Sequence, residues 1–135
     1  MTDTGAPDTL DIEQETLAND TFRTTLWTGK HLQLTVMSIR PGDDIGLEVH
    51  PDTDQFVRVE QGRGRCQMGA AKDELSFDQE VSDGWAILVP AGTWHNVTNI
   101  GDDDVRVYVL YGPPDHQLGT IHQTHQDARL DPNED

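Results

Sequence analysis

The sequence predicts an all-β protein folded as a single antiparallel β-barrel or sandwich, with flexible acidic termini. The first observation is a series of short segments in which apolar and polar residues alternate, which is the pattern of strands. The second is that glycine, proline and aspartate separate these segments at close spacing. The third is that no internal repeat and no helix of consequence precedes Pro113. Many short strands separated by turn residues are typical of antiparallel barrels.

Eight segments carry the strand pattern. The first is rich in β-branched and aromatic residues, and in the second Leu32, Leu34 and Val36 alternate with polar residues, which predicts a half-buried strand. A third segment places Gln55 on the same face as Val57 and Val59. In order, the predicted strands are 21–28, 31–39, the segment around 55–59, 65–69, 75–77, 86–89, the strand that His95 opens, and 105–111.

The flanking segments divide the chain into three parts. Residues 1–20 are polar and acidic and predict a tail, with an edge strand near Leu10 to Ile12; residues 21–112 form the barrel. Residues 113–135 begin with two prolines and hold three histidines, His116, His122 and His125. Two interpretations of this last segment stay open. It is either a solvated tail along the barrel wall or a lid that adds a histidine to the pocket.

The charge of the chain limits its partners. The 135 residues suit one domain, and 25 acidic against 9 basic residues give a net charge of −16. Such a protein repels phosphate backbones and anionic lipids, so neither nucleic acid nor membrane is expected as a partner. A single cysteine, Cys66, and the lack of a signal-peptide pattern at the N-terminus predict a cytoplasmic protein. The acidity fits a high-salt cytoplasm, and an acidic protein from a GC-rich genome is the equal alternative.

Two stretches of the barrel concentrate residues that can bind a metal. In the first, Glu48 and His50 lie two residues apart, so on a strand they point the same way, and Gln55 follows in register with valines. A buried polar side chain needs a partner, and a metal is one such partner. In the second, a buried apolar run ends at Pro90 and the chain turns before His95.

These stretches resemble the two motifs of the cupin superfamily of small β-barrels. The second cupin motif, G-x5-P-x-G-x2-H-x3-N, matches at every fixed position from Gly84 to Asn99. The first, G-x5-H-x-H-x3,4-E-x6-G, keeps its spacing from Gly42 to Gly62, but Glu48 replaces its first histidine and Gln55 its glutamate. By position, the resemblance implies a cupin/jelly-roll barrel and four metal ligands, namely Glu48, His50, Gln55 and His95.

The resemblance leaves the reaction open. Two imidazoles and one carboxylate suit a divalent first-row metal, with Fe, Mn, Zn, Ni and Cu not distinguished, and Gln55 is either a fourth ligand or a partner of a metal-bound water. The interpretation that we favour is a metal-dependent enzyme, oxygenase-like or isomerase-like, acting on a small organic molecule in the barrel. The alternative is a non-catalytic module that binds or senses a small ligand, with a structural metal or none. By resemblance, we also expect a homodimer.

Overall fold

The structure, a computed structural model, describes residues 3–132, which form nine strands and two short helices. All pairings between the named strands are antiparallel, as the sequence predicts. Within the described residues, no helix combines the length and the apolar character needed to cross a membrane. The elements are α1 (Ile12–Ala18), β1 (Arg23–Thr28), β2 (Gln33–Ile39), β3 (Asp54–Gln61), β4 (Arg63–Gly69), β5 (Phe77–Ser82), β6 (Ala86–Val89), β7 (Trp94–Asn99), β8 (Val105–Gly112), β9 (Ile121–His122) and α2 (His125–Leu130).

The strands form two sheets that share one core. The larger sheet has the order β6-β3-β8-β2-β1-β9 and the smaller has the order β5-β4-β7. The chain passes from one sheet to the other between β3 and β4 at Gly62, where φ is +104° and an added Cβ would lie 2.9 Å from the Cα of Val105. Only glycine tolerates that turn and that close approach. The sheets are not closed into one continuous hydrogen-bonded cylinder.

The barrel interior is lined by alternate residues of β2, β3 and β8. Cross-strand pairs such as Val57 with Val109 and Met37 with Val107 point into the same core. A second apolar cluster lies on the outer face of the larger sheet, where Leu34 and Val36 pack with residues of the N-terminal segment. The prediction of a half-buried strand is therefore wrong for β2. All seven of its residues are buried, because both of its faces are covered.

The N-terminal segment forms a helix where the sequence predicted an edge strand. Asp11 caps α1 by accepting a hydrogen bond from the backbone N–H of Gln14, and Ile12 packs against the outer apolar cluster. The expectation of a strand near Leu10 to Ile12 is thus wrong, because burial of one apolar face and a good N-cap favour the helix. Further upstream, Asp3 accepts hydrogen bonds from Thr28 and Gly119, which ties this segment to the barrel.

Two further elements differ from the sequence prediction. The strand predicted at 75–77 lies at Phe77–Ser82 instead, and most of its residues are exposed on both faces, so the alternation that marks a strand is missing. The C-terminal segment contains α2, which begins after the N-cap Thr124, whereas two prolines favoured an extended path. It also adds β9, which pairs with β1. Over its described residues, this segment packs against the barrel.

Candidate metal centre

Backbone pairing brings the two motifs together. The segment before β3 runs antiparallel beside β7, so that Glu48 and His95 face each other as an isolated bridge. Each donates a backbone N–H to the carbonyl of the other, at 3.1 Å and 2.9 Å. Gly92, with φ at +81°, donates its N–H to the carbonyl of His50 at 2.8 Å. The turn before His95 and the loop that carries Glu48 and His50 therefore form one unit.

Three side chains converge in this unit. Oε1 of Glu48 lies 3.2 Å from Nε2 of His50 and 3.6 Å from Nε2 of His95. All three donor atoms lie within 4.8 Å of one another. Two ligand atoms that bind one ion at about 2.1 Å are roughly 3.0 to 3.4 Å apart. The residues therefore fit a single metal ion with little rearrangement.

His95 presents a lone pair to this centre. Its Nδ1 lies 3.0 Å from the carbonyl oxygen of Thr93, which can only accept, so Nδ1 carries the proton. Nε2 is then unprotonated, and the amide nitrogen of Gln55 lies 3.0 Å from it. An imidazole that binds a metal needs this arrangement, with one nitrogen fixed by a hydrogen bond and the other free to coordinate.

Gln55 lies at the centre without joining the cluster of three. It is buried on β3, in register with Tyr111 of β8 and Val89 of β6. The sequence predicted this inward position from the valines that share its face. With its amide nitrogen toward His95, Gln55 supports that ring, and rotating the amide by half a turn would present its oxygen instead.

A residue that the sequence did not single out holds His50. Nδ1 of His50 lies 3.1 Å from Oδ1 of Asp115, in the segment after β8. Gln33 fixes that segment, because its side-chain oxygen accepts from the backbone N–H of Asp115 at 3.1 Å and of His116 at 2.9 Å, and its amide donates to the His116 carbonyl at 2.8 Å. A carboxylate on the remote nitrogen of a histidine is the usual support of a metal ligand.

The charges of the centre are strongly coupled. Burial alone would lower the pKa of His50, but its hydrogen bonds to Asp115 and Glu48 outweigh burial and raise that pKa to about 10. Burial would likewise raise the pKa of Glu48, yet the hydrogen bond from His50 and the positive charge of that ring hold it well below its usual range. The pKa of Asp115 is lowered against the effect of burial by its hydrogen bond with His50. Without a metal, an imidazolium thus lies between two carboxylates.

Two more buried polar residues adjoin the centre. Arg23 is 2% exposed and Tyr111 is 1% exposed, and both line the same small interior space as Glu48 and Gln55. Burial raises the pKa of Tyr111 well above its usual range, so its phenol stays neutral. Sequence alternation placed Arg23 on the face opposite Phe22 but did not identify it as buried, because the elements that cover it, β9 and α2, were not predicted.

The C-terminal histidines do not join this cluster. The ring of His116 contacts Tyr111 edge-on, with centroids 4.9 Å apart. His122 lies between Arg23 and Asp131, and His125 stacks on Phe22 with centroids 4.6 Å apart. His125 also lies with two aspartates, 43 and 44, in a second group of possible ligands at the surface. The C-terminal segment thus reaches the cluster of three through Asp115, and His125 lines an outer cavity beside Glu48, so the lid interpretation stays a prediction.

The comparisons with known proteins establish the family. The sequence profile described as Cupin domain matches residues 35–111. The chain belongs to the cupin family. Among its relatives, the Bacillus subtilis (strain 168) "Uncharacterized protein YrkC" is 55% identical over 122 residues, which are 90% of this cupin and 66% of YrkC. The Acanthamoeba polyphaga mimivirus "Uncharacterized protein L612" is 38% identical over 113 residues, which are 83% of the chain and 69% of L612. This cupin thus spans about two thirds of the length of these relatives.

A solved structure agrees with the fold. A crystal structure of a Bacillus halodurans protein is similar with a TM-score of 0.95 and 54% identity, covering 97% of this cupin and 100% of that chain. At this level of similarity, the two chains share the same fold over nearly their whole length.

Proposed function

We propose that this cupin binds one divalent first-row transition metal and acts as a metal-dependent enzyme on a small organic molecule. His50, His95 and Glu48 would hold the ion, with Gln55 beside them. Two imidazoles and one carboxylate occupy one side of a metal and leave positions open for a substrate. The observation that carries the proposal is the convergence of three donor atoms within 4.8 Å, with Nε2 of both rings directed to one place.

The chain's own residues prepare such a site. A bound dication would polarise a substrate oxygen or activate oxygen, which covers isomerase-like and oxygenase-like chemistry. Asp115 holds a proton at Nδ1 of His50 and so keeps Nε2 directed to the ion. Thr93 does the same for His95 through its carbonyl. Valines of β3, β7 and β8 line the interior beside Glu48 and make that side of the site apolar.

The substrate would approach from outside the barrel. The interior space beside Glu48 and Tyr111 has a volume of only about 10 Å³, room for about one water molecule. An adjoining outer cavity of about 260 Å³ is also lined by Glu48. We therefore place the organic molecule in the outer cavity, between the loop that carries Glu48 and the helix α2.

One observation favours the alternative function. The interior is too small for a ligand of ordinary size, and a filled barrel with a metal suits a non-catalytic binding or sensing module as well. In that case the metal would be structural, and its removal would lower the melting temperature without any substrate-dependent reaction.

The deciding experiment is metal analysis of the protein purified without added metal. One equivalent of iron, manganese, copper or nickel supports an oxygen-activating or related enzyme. One equivalent of zinc supports Lewis-acid chemistry or a structural metal. Protein that holds no metal, and that binds none of these ions in titration after treatment with a chelator, contradicts the proposal.

We also propose that the protein is a homodimer. β5 and β6 are end strands of their sheets, and an apolar groove of about 350 Å³ lies between them. Phe77, Trp85 and Leu88 are exposed around this groove. Large exposed apolar patches mark interaction surfaces, and unpaired strand edges tend to be covered. Light scattering at micromolar concentration should give twice the chain mass, and Leu88→Glu should give a single chain.

A further inference from the structure

The buried amide of Gln33 links the proposed metal centre to a second set of contacts. Gln33 opens β2 and is 0% exposed. Its oxygen accepts from the backbone N–H groups of Asp115 and His116, and its nitrogen donates to the carbonyl of His116. The same nitrogen donates to Oγ1 of Thr28 at 3.0 Å. These four bonds use both lone pairs and both protons of the amide, so the amide has only one orientation that satisfies them all.

The hydrogen bonds continue from Thr28 to Asp3. Thr28 lies opposite Gln33 in the pairing of β1 with β2, and its Oγ1 lies 2.7 Å from Oδ2 of Asp3. A carboxylate can only accept, so the hydroxyl donates to Asp3 and accepts from Gln33. The same oxygen of Asp3 accepts from the backbone N–H of Gly119 at 3.1 Å. Asp3 thus connects β1 with the C-terminal segment that carries Asp115.

The N-terminal segment holds Asp3 in this position. Asp3 is only 9% exposed, and a buried carboxylate is costly unless its hydrogen bonds compensate for the lost water. Gly5 has a φ of +70°, and an added Cβ there would lie 2.5 Å from the carbonyl oxygen of Thr28. Nε1 of Trp27 donates to the carbonyl of Ala6 at 2.7 Å. Residues 3–6 therefore pack along the end of β1.

We propose that Asp3, Thr28 and Gln33 are positioning residues for the metal centre. Together they form a network that holds Asp115 in place, and Oδ1 of Asp115 lies 3.1 Å from Nδ1 of His50. A carboxylate that orients a ligating histidine must itself be fixed, because loss of this support weakens metal binding. The inference rests on the proposed metal centre for its effect on affinity, and it extends that centre to the N-terminal segment.

A contact of the same kind, which does not lead to Asp115, provides a matched control. Oγ1 of Thr25 on β1 donates to the carbonyl of Thr120 in the C-terminal segment at 3.1 Å. Thr25 is 5% exposed, so this bond is as well protected as those of the network. Thr25→Val removes it and keeps the shape of the side chain. This variant measures the general effect of loosening the contact between β1 and the C-terminal segment.

The test is titration of chelator-treated protein with Zn²⁺. Asp3→Ala should weaken binding by about threefold and Gln33→Met by about tenfold, at or below the low end of the loss expected when the partner of a ligating histidine is removed. Asp3→Asn keeps an acceptor oxygen and, like Thr25→Val, should bind within about twofold of the unmutated protein. Equal affinities in Asp3→Ala and Thr25→Val, or an equal loss in Asp3→Asn and Asp3→Ala, overturn the inference.

A double-mutant cycle separates positioning from general stability. The network acts through Asp115, so Asp3→Ala should cause no further loss of Zn²⁺ affinity in protein that already carries Asp115→Asn. Losses that add in the double variant overturn the inference. Because Asp3 lies at the end of the network, this cycle also covers the case in which Gln33→Met does not fold.

A measurement without metal distinguishes failure of this inference from failure of the metal centre. The Nδ1–H proton of His50 is buried and faces the carboxylate of Asp115. Its exchange with water, followed by NMR on the metal-free protein, should be about threefold faster in Asp3→Ala and unchanged in Thr25→Val. Unmutated protein that binds no Zn²⁺ contradicts the metal centre alone, whereas unchanged exchange in Asp3→Ala overturns the positioning role.

Discussion

The two histidines of the proposed metal centre are held by contacts from different regions of the molecule. His95 is held by the carbonyl of Thr93, two residues earlier in the same turn. His50 is held by the carboxylate of Asp115, which belongs to the segment after the last long strand and is fixed in turn by Gln33. One histidine thus has local backbone support, and the other depends on a side chain from a distant part of the chain. Only the second support can be removed by a point mutation without touching a ligand.

The largest expected effect is the loss of either ligand itself. His50→Ala and His95→Ala should each abolish metal binding, because each removes a strong nitrogen donor and leaves only two of the three converging groups. Binding is measured by titrating chelator-treated protein with Zn²⁺. His31→Ala, at an exposed histidine outside the centre, is the matched control and should bind like the unmutated protein. Full occupancy in His95→Ala would refute the assignment of the site.

The sequence could predict the residues within the two motifs, but not the residues from distant segments that contact them. The positions of Glu48, His50 and His95 follow from fixed motif spacing and strand alternation, and these side chains do converge, whereas their binding of a metal stays a prediction. Asp115 could not be found this way, because its contact with His50 depends on where the chain lies after β8, and no short-range pattern specifies that path. Arg23 was missed for the same reason, since its burial depends on β9 and α2.

The same distinction between local pattern and distant contact explains the errors in the predicted fold. The alternation in β2 correctly indicated a strand. The outer face of that strand is covered by α1, a helix that the sequence pattern did not predict. The exposed edge strand β5 was misplaced because it buries little and so shows no apolar period. Residue patterns within one strand could be predicted from the sequence, whereas burial of a strand by a segment distant along the chain could not.

The next largest effect is the dependence of metal binding on pH. The pKa of His50 is about 10 in the folded metal-free protein against 6.5 for an unperturbed histidine, so a metal must displace its proton. We expect the apparent affinity to rise by up to about tenfold per pH unit between pH 6.5 and 10. Competition with a chelator of known affinity measures this rise. A flat profile over this range would contradict the charge arrangement around His50.

Whereas the metal affinity should rise with pH, the stability of the metal-free protein should fall. A raised pKa means that the folded state binds the proton of His50 more tightly than the unfolded state does. The contribution of this proton to the free energy of unfolding is fully present below pH 6.5 and is lost as the pH approaches 10. The melting temperature in chelator should therefore fall across this window. Because Asp115 is one cause of the raised pKa, Asp115→Asn should shift the end of the fall to lower pH.

A smaller effect tests the contact between Asp115 and His50 directly. Asp115→Asn should weaken metal binding by roughly 10- to 100-fold, because the carboxylate that orients His50 and increases its basicity is lost. Thr93→Ala is the matched variant on the other side of the comparison. The carbonyl that holds His95 belongs to the backbone and survives that change, so metal affinity should stay within about twofold of the unmutated protein. Equal losses in the two variants would mean that the supports do not differ as the contacts indicate.

The smallest expected effect concerns Gln55, whose amide nitrogen faces His95. Gln55→Ala should weaken metal binding by only a few fold, since all three converging donor atoms remain and Thr93 still holds His95. Gln55→Glu should tighten it, because a second carboxylate replaces a neutral group beside a dication. Gln79→Glu adds the same charge on the exposed edge strand β5 and controls for a change in overall charge. Titrations of the three variants with Zn²⁺ and Mn²⁺ measure these changes in metal affinity. If Gln55→Ala loses binding as completely as His95→Ala, Gln55 is itself a ligand and its amide is turned with the oxygen toward the metal.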